Sequence, residues 1–91
     1  MTELTSAVFS EHALSQMRRR GISEAHVYSV LGQPEEVLPV REGRVIVQGF
    51  VASSDPARHY LLRVIVDVDQ EQPVVVTAYK TSKLEKYRSR A

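Results

Sequence analysis

The chain has 91 residues, with 12 Lys and Arg against 11 Asp and Glu, a formal net charge of +1 and no cysteine. That length supports one domain with one modest core, and the lack of cysteine removes disulfides, thiolate catalysis and Cys-based zinc sites. A nearly neutral total excludes a strong global field towards nucleic acid, so the distribution of charge matters more than its sum.

Residues 1–8 read as a polar lead-in, with a short strand over Ser6–Phe9 as the alternative. The start MTELTSAVF lacks the basic beginning and long apolar stretch of a signal peptide, and no run is long enough to span a membrane. A cytoplasmic protein without membrane contact is expected. Ser10 is a good N-cap, Glu11 suits a first turn and Gly21 suits the position past a helix end, which predicts a helix from about Glu11 to Arg20. Ser23 caps a second helix that ends near Leu31, before Gly32 and Pro34. Its apolar stripe is Val27, Val30 and Leu31, with Ile22 as a hydrophobic staple before the cap.

The remainder reads as strands. EEVLPV is the first, and Pro39 pushes it towards a sheet edge. Residues 41–44 turn into VIVQGFV, where Gly49 suggests a bulge. Ser-Ser-Asp-Pro marks a loop within residues 52–58, HYLLRVIVDV is the third strand, Asp-Gln-Glu-Gln is a turn and PVVVTAYK is the fourth. The tail TSKLEKYRSR has room for one or two helical turns, capped by Thr81 or Ser82.

Strict alternation then sorts the two inner strands by face. Tyr60, Leu62, Val64 and Val66 fall with Val74, Val76 and Ala78 on an apolar face that the helices should cover. Leu61, Arg63, Ile65 and Asp67 fall with Val75, Thr77 and Tyr79 on a mixed face. The expected class is α+β: two N-terminal helices packed on a four-stranded antiparallel sheet, followed by a short C-terminal helix or tail. The mixed face is where function is sought.

Several residues on this frame can carry chemistry. His12, Gln16 and Arg20 lie one helical turn apart and form a polar ridge directed away from Leu14 and Met17. A histidine exchanges protons near neutral pH and an arginine holds phosphate, although a structural histidine is the commoner fate. Arg18, Arg19 and Arg20 form one basic cluster, and Lys80, Lys83, Lys86 and Arg88 form another towards the end of the chain. Arg63 stands mid-strand among apolar neighbours, a costly site for a charge without a partner. Asp67, four residues on, is the candidate ion-pair partner; phosphate on the open face is the other reading. Tyr79 shares a face with Thr77 and could stack a base or seal the sheet edge, while alternation sends Lys80 to the opposite face. His12, His26 and His59 have no metal-ligand spacing, and neither a Gly-rich phosphate loop nor a Gly-x-Ser-x-Gly elbow occurs, so no metal and no cofactor are expected.

These pieces recur together in order. His-Ala opens the first helix, Met17 follows, Arg20-Gly21-Ile22-Ser23 joins the helices, Val-Leu-Gly-x-Pro stops the second, and VVTAYKTSKxxKY closes the series. From Phe9 to Tyr87 the chain resembles the DUF4258 family, small bacterial and phage-associated domains of undetermined role. Their layout is similar to the RelE/ParE and BrnT toxins and to other small metal-independent ribonucleases. The resemblance implies an endoribonuclease of toxin–antitoxin type, acting on RNA and covered on its mixed sheet face by a protein antitoxin. His12 would then transfer protons, Arg20 and Arg63 would hold phosphate, and Tyr79 would position the substrate. Arg19, Thr77, Lys80, Lys83 and Lys86 would contact RNA. One departure stands out: the family often has arginine four residues after the helix-one histidine, where this chain has Gln16. That substitution and the near-neutral charge favour the rival reading, a non-catalytic protein- or RNA-binding module.

Overall fold

Both helices start on serine caps, and the first stops on a left-handed glycine. A computed structural model describes residues 4–51 and 60–82. A single 3-10 turn (Leu4–Ser6) leads into strand β1 (Val8–Phe9), helices α1 (Glu11–Arg20) and α2 (Glu24–Gly32), and strands β2 (Glu36–Arg41), β3 (Arg44–Val51), β4 (Tyr60–Asp67) and β5 (Val74–Thr81). The Ser10 hydroxyl accepts from the Ala13 amide at 3.0 Å, and the Ser23 hydroxyl accepts from the His26 amide at 3.1 Å. Each bond satisfies one of the amides that a helix start leaves without a backbone partner. At the end of α1, Gly21 adopts φ 67°, and the next amide, from Ile22, donates back to the Met17 carbonyl at 2.9 Å. That turn delivers Ile22 into the core.

The sheet has five strands in the order β1-β5-β4-β3-β2. From β2 to β5 each strand pairs antiparallel with the next, as expected. The expected four-stranded antiparallel sheet is corrected by β1, which lies parallel to β5 on its outer side, with Val8 opposite Val74 and Phe9 opposite Val75. The Val8 and Ser10 amides donate to the Pro73 and Val75 carbonyls, both at 3.0 Å. The short strand expected as the alternative over Ser6–Phe9 is thus present at Val8–Phe9, but two residues carry no periodicity from which its pairing with β5 can be read. The expected loop at 52–58 and the C-terminal helix or tail beyond Ser82 lie outside the described residues.

Helix α1 packs on β5 and α2 on β3, so both cover the same face of the sheet. Ala13 and Met17 from α1, and Val27, Val30 and Leu31 from α2, meet Val47, Leu62, Val64, Val66, Val75 and Ala78 of the strands. Here strict alternation breaks down. Ile65 faces Thr77, but the next residue, Val66, faces Val75, so Val76 is the extra residue of a β-bulge. The bulge reverses parity: Val75 is fully buried in the core (0% exposed), whereas Thr77 and Tyr79 stay beside Ile65 and Arg63 on the face opposite the helices. The sequence-based placement of Val75 on the mixed face, with Val74 and Val76 on the apolar one, is therefore corrected.

Gly49 pairs in register with Leu62 and marks no bulge; the second irregularity lies in β2, between Pro39 and Arg41. Gly49 lies beneath α2, where a Cβ would meet both methyl groups of Val30 at an ordinary contact distance of 3.4 Å. Pro39 does lie in an edge strand, as its missing amide requires.

Candidate functional site

The helix ridge meets the sheet at its C-terminal end. From the last turn of α1, Arg20 Nη1 donates to the Ala78 carbonyl at 2.8 Å and reaches the Thr77 hydroxyl at 3.5 Å. Because β1 pairs only with Val74 and Val75, this contact lies on β5 beyond the strand that borders it. Arg20 is exposed, and among the described residues these are its two side-chain bonds. A guanidinium has five N–H donors, so a planar cation is anchored to the sheet by one corner. Arg18 and Arg19 precede it, both exposed.

His12 stands eight residues earlier on the same helix, about 12 Å away along the axis. Its Nε2 lies 3.2 Å from Gln16 Nε2. Gln16 thus occupies the ring nitrogen through which His12 would exchange a proton. The structure thus joins Arg20 to Thr77 but leaves His12 with Gln16, two turns from the arginine.

A second constellation crosses the sheet face opposite the helices, where Leu61 is also fully buried. The register aligns Glu36, Gln48, Arg63 and Tyr79 on four successive strands. Gln48 Nε2 donates to Glu36 Oε1 at 2.8 Å, Arg63 Nε donates to Gln48 Oε1 at 2.9 Å, and Arg63 Nη1 donates to the Tyr79 hydroxyl at 2.5 Å. The Arg63 guanidinium carbon lies 5.6 Å from the Tyr79 ring centroid, within range of a cation–π contact. Gln48 is fully buried and Arg63 is 7% exposed. Arg63 and Tyr79 therefore belong together, but in a hydrogen-bonded row rather than as an open phosphate clamp. Gln48 and Glu36 were missed in the sequence. The available signal was a lone glutamine inside the apolar run VIVQGFV, opposite the equally isolated Arg63.

The expected Arg63–Asp67 ion pair is corrected. Four residues of strand span about 13 Å, too far for two side chains of one strand to meet. Asp67 lies directly opposite Arg44, which binds it through Nε at 2.6 Å and Nη2 at 3.1 Å. Hydrogen bonding to Arg44, followed by the attraction of its charge, holds the Asp67 carboxyl below its ordinary pKa. Lys80 faces the helix side, as alternation implies, with Nζ 5.7 Å from the Tyr60 ring centroid. It is separated from the Arg63 row, and Lys83 and Lys86 lie outside the described residues. Among the described residues, no three His, Asp or Glu side chains gather as a metal site, and no helix is long and apolar enough to cross a membrane.

Fold and site together define an α+β domain with two helices on one sheet face, a basic helix end fastened to the border of β5 and a buried polar row on the face opposite the helices. The chain belongs to the DUF4258 family, a domain of unknown function, whose model matches residues 9–80. No curated protein and no solved structure matches the chain.

Proposed function

We propose that this domain is an RNA-binding module that holds the phosphodiester backbone where α1 meets β5. The observation that carries the reading is Arg20, an exposed guanidinium fixed by one N–H to the Ala78 carbonyl beside Thr77. Its remaining donors suit phosphate oxygens, and Arg18 and Arg19 add charge on the same turn. Thr77 and Tyr79, both partly exposed, follow on the face of β5 opposite the helices and supply a hydroxyl donor and an aromatic surface. Anisotropy of a labelled single-stranded RNA tests this. Micromolar binding at low salt is expected, weakened several-fold by Arg20→Ala, with the salt dependence reduced by about one counterion. Equal binding by wild type and Arg20→Ala would remove the assignment.

A second reading is a metal-independent endoribonuclease of RelE/BrnT-like type, neutralised by an antitoxin on the sheet face opposite the helices. It is supported by the helices-then-sheet layout and by His12 on the ridge that ends in Arg20. In that chemistry His12 Nε2 takes the ribose 2′-hydroxyl proton, the 2′-oxygen attacks phosphorus, and the 5′-oxygen leaves with a proton from an acid. Gln16 would first have to release Nε2, and no described cation contacts His12, which is why binding without turnover is ranked first. RNA incubated with pure protein in EDTA decides between them. Cleavage abolished by His12→Ala supports the nuclease, whereas intact RNA in a stable complex supports the module.

A further inference from the structure

Gln48 belongs to no site that the family or the sequence pattern assigns, yet it is the hub of the polar row. Both ends of its amide are used, the nitrogen towards Glu36 and the oxygen towards Arg63 Nε. Arg63 is therefore gripped at Nε by Gln48, and its Nη1 grips the Tyr79 hydroxyl. A guanidinium is planar and rigid, so fixing Nε fixes the direction in which Nη1 points. The chain of constraint runs from Glu36 through Gln48 and Arg63 to Tyr79. Tyr79 lies two residues from Thr77 on the sheet face opposite the helices, and Arg20 reaches the Thr77 hydroxyl across the border of β5.

We infer that Gln48 is a positioning residue for RNA binding: through Arg63 it sets the Tyr79 ring and hydroxyl for contact with the backbone or base next to the phosphate at Arg20. The inference rests on the RNA-binding reading above. Gln48 touches no RNA itself. A glutamine suits the hub because it donates to a carboxylate at one end and accepts from a cation at the other, which no apolar residue of its size can do.

The test combines affinity with a readout taken in the absence of RNA. Tyr79→Phe is expected to weaken RNA binding about tenfold, the scale of one hydrogen bond to a charged group. Gln48→Met, which removes the Oε1 acceptor that grips Arg63 Nε, should weaken it comparably, and the double variant no further. The paired exchange Glu36→Gln/Gln48→Glu keeps an oxygen for Arg63 and returns a donor–acceptor bond between positions 36 and 48, and it should remain within about threefold of wild type. In RNA-free protein, the NMR resonances of the Tyr79 ring should move in Gln48→Met and hold in the paired exchange. Losses that add in the double variant, or unmoved ring resonances in Gln48→Met, overturn the inference. If wild type binds no RNA, the binding reading fails alone, and the NMR comparison still judges the positioning. If Gln48→Met does not melt cooperatively, Glu36→Ala takes its place. It releases the amide nitrogen and should weaken binding in the Tyr79 background but not in the Tyr79→Phe background; a loss in both overturns the inference.

Discussion

Replacing Arg63 by methionine isolates what the polar row contributes to folding. Methionine retains an unbranched aliphatic stem of similar length, so the packing around the Arg63 stem is largely kept. What disappears is the charged donor to Gln48 Oε1 at 2.9 Å and the donor to the Tyr79 hydroxyl at 2.5 Å. Gln48 is 0% exposed, so its oxygen cannot turn to water, and a buried acceptor left without a partner costs roughly 1–3 kcal/mol. Removing a desolvated cation returns part of that cost, while Tyr79 is partly exposed and recovers solvent. The net expectation is a loss of about 2 kcal/mol, or roughly 8–16 °C in Tm for a domain of this size. The double variant Arg63→Met/Gln48→Met should lose no more than the single one, because a polar pair is then exchanged for an apolar pair. Thermal and urea unfolding followed by circular dichroism measure both. Wild-type stability in Arg63→Met would refute the reasoning, as would a second full loss on adding Gln48→Met.

Three further outcomes test the frame around the site. Gly43→Ala should destabilise more than Gly21→Ala: both glycines have positive φ, but only at Gly43 would a Cβ stand 2.8 Å from Asp69, and equal melting temperatures would dismiss the clash. For Gly21→Ala the left-handed backbone alone predicts a loss of about 1 kcal/mol. Ser10→Ala should cost about 1 kcal/mol in urea unfolding through the lost α1 cap, whereas Ser10→Asp should retain most of the stability. The depressed Asp67 pKa gives a stabilising contribution that is present above the unfolded value near 3.9 and lost as pH falls through the lower folded value. Asp67→Asn should therefore melt below wild type at pH 7, with the gap closing below about pH 4; a gap that persists in acid would mean the Arg44 pair acts through something other than charge.

The helices were legible because their signals are local. Ser10, Gly21 and Ser23 act within a few residues of themselves, and all three occupy the capping positions expected of them. The four longer strands and the edge role of Pro39 were legible for the same reason. The faces of β5 were not, because alternation assumes an unbroken period and the bulge at Val76 is decided by how β5 must fit both α1 and β4. The site divides along the same line. The ridge spacing of His12, Gln16 and Arg20 follows from helical geometry alone. The partners of Arg63 depend on the register of four strands, which no single strand encodes, and so Asp67 was assigned to the wrong arginine.

The two-residue strand β1 has a consequence for how the molecule assembles and opens. Strands β2 to β5 each pair with a neighbour in sequence, whereas β1 pairs with the strand farthest from it along the chain, Val8 meeting Val74. Loop closure over that span is offset by two backbone bonds, by the Ala7 carbonyl held by Tyr28 and the Ser6 carbonyl held by Gln72, and by burial of Ala7 with Leu4 and Phe9 against the core. With only two ladder bonds at the sheet border, β1 is the strand expected to open first in native-state hydrogen exchange. The amides of Val8 and Ser10 would exchange ahead of those in β3 and β4, exposing the border of β5 while the rest of the sheet stays closed.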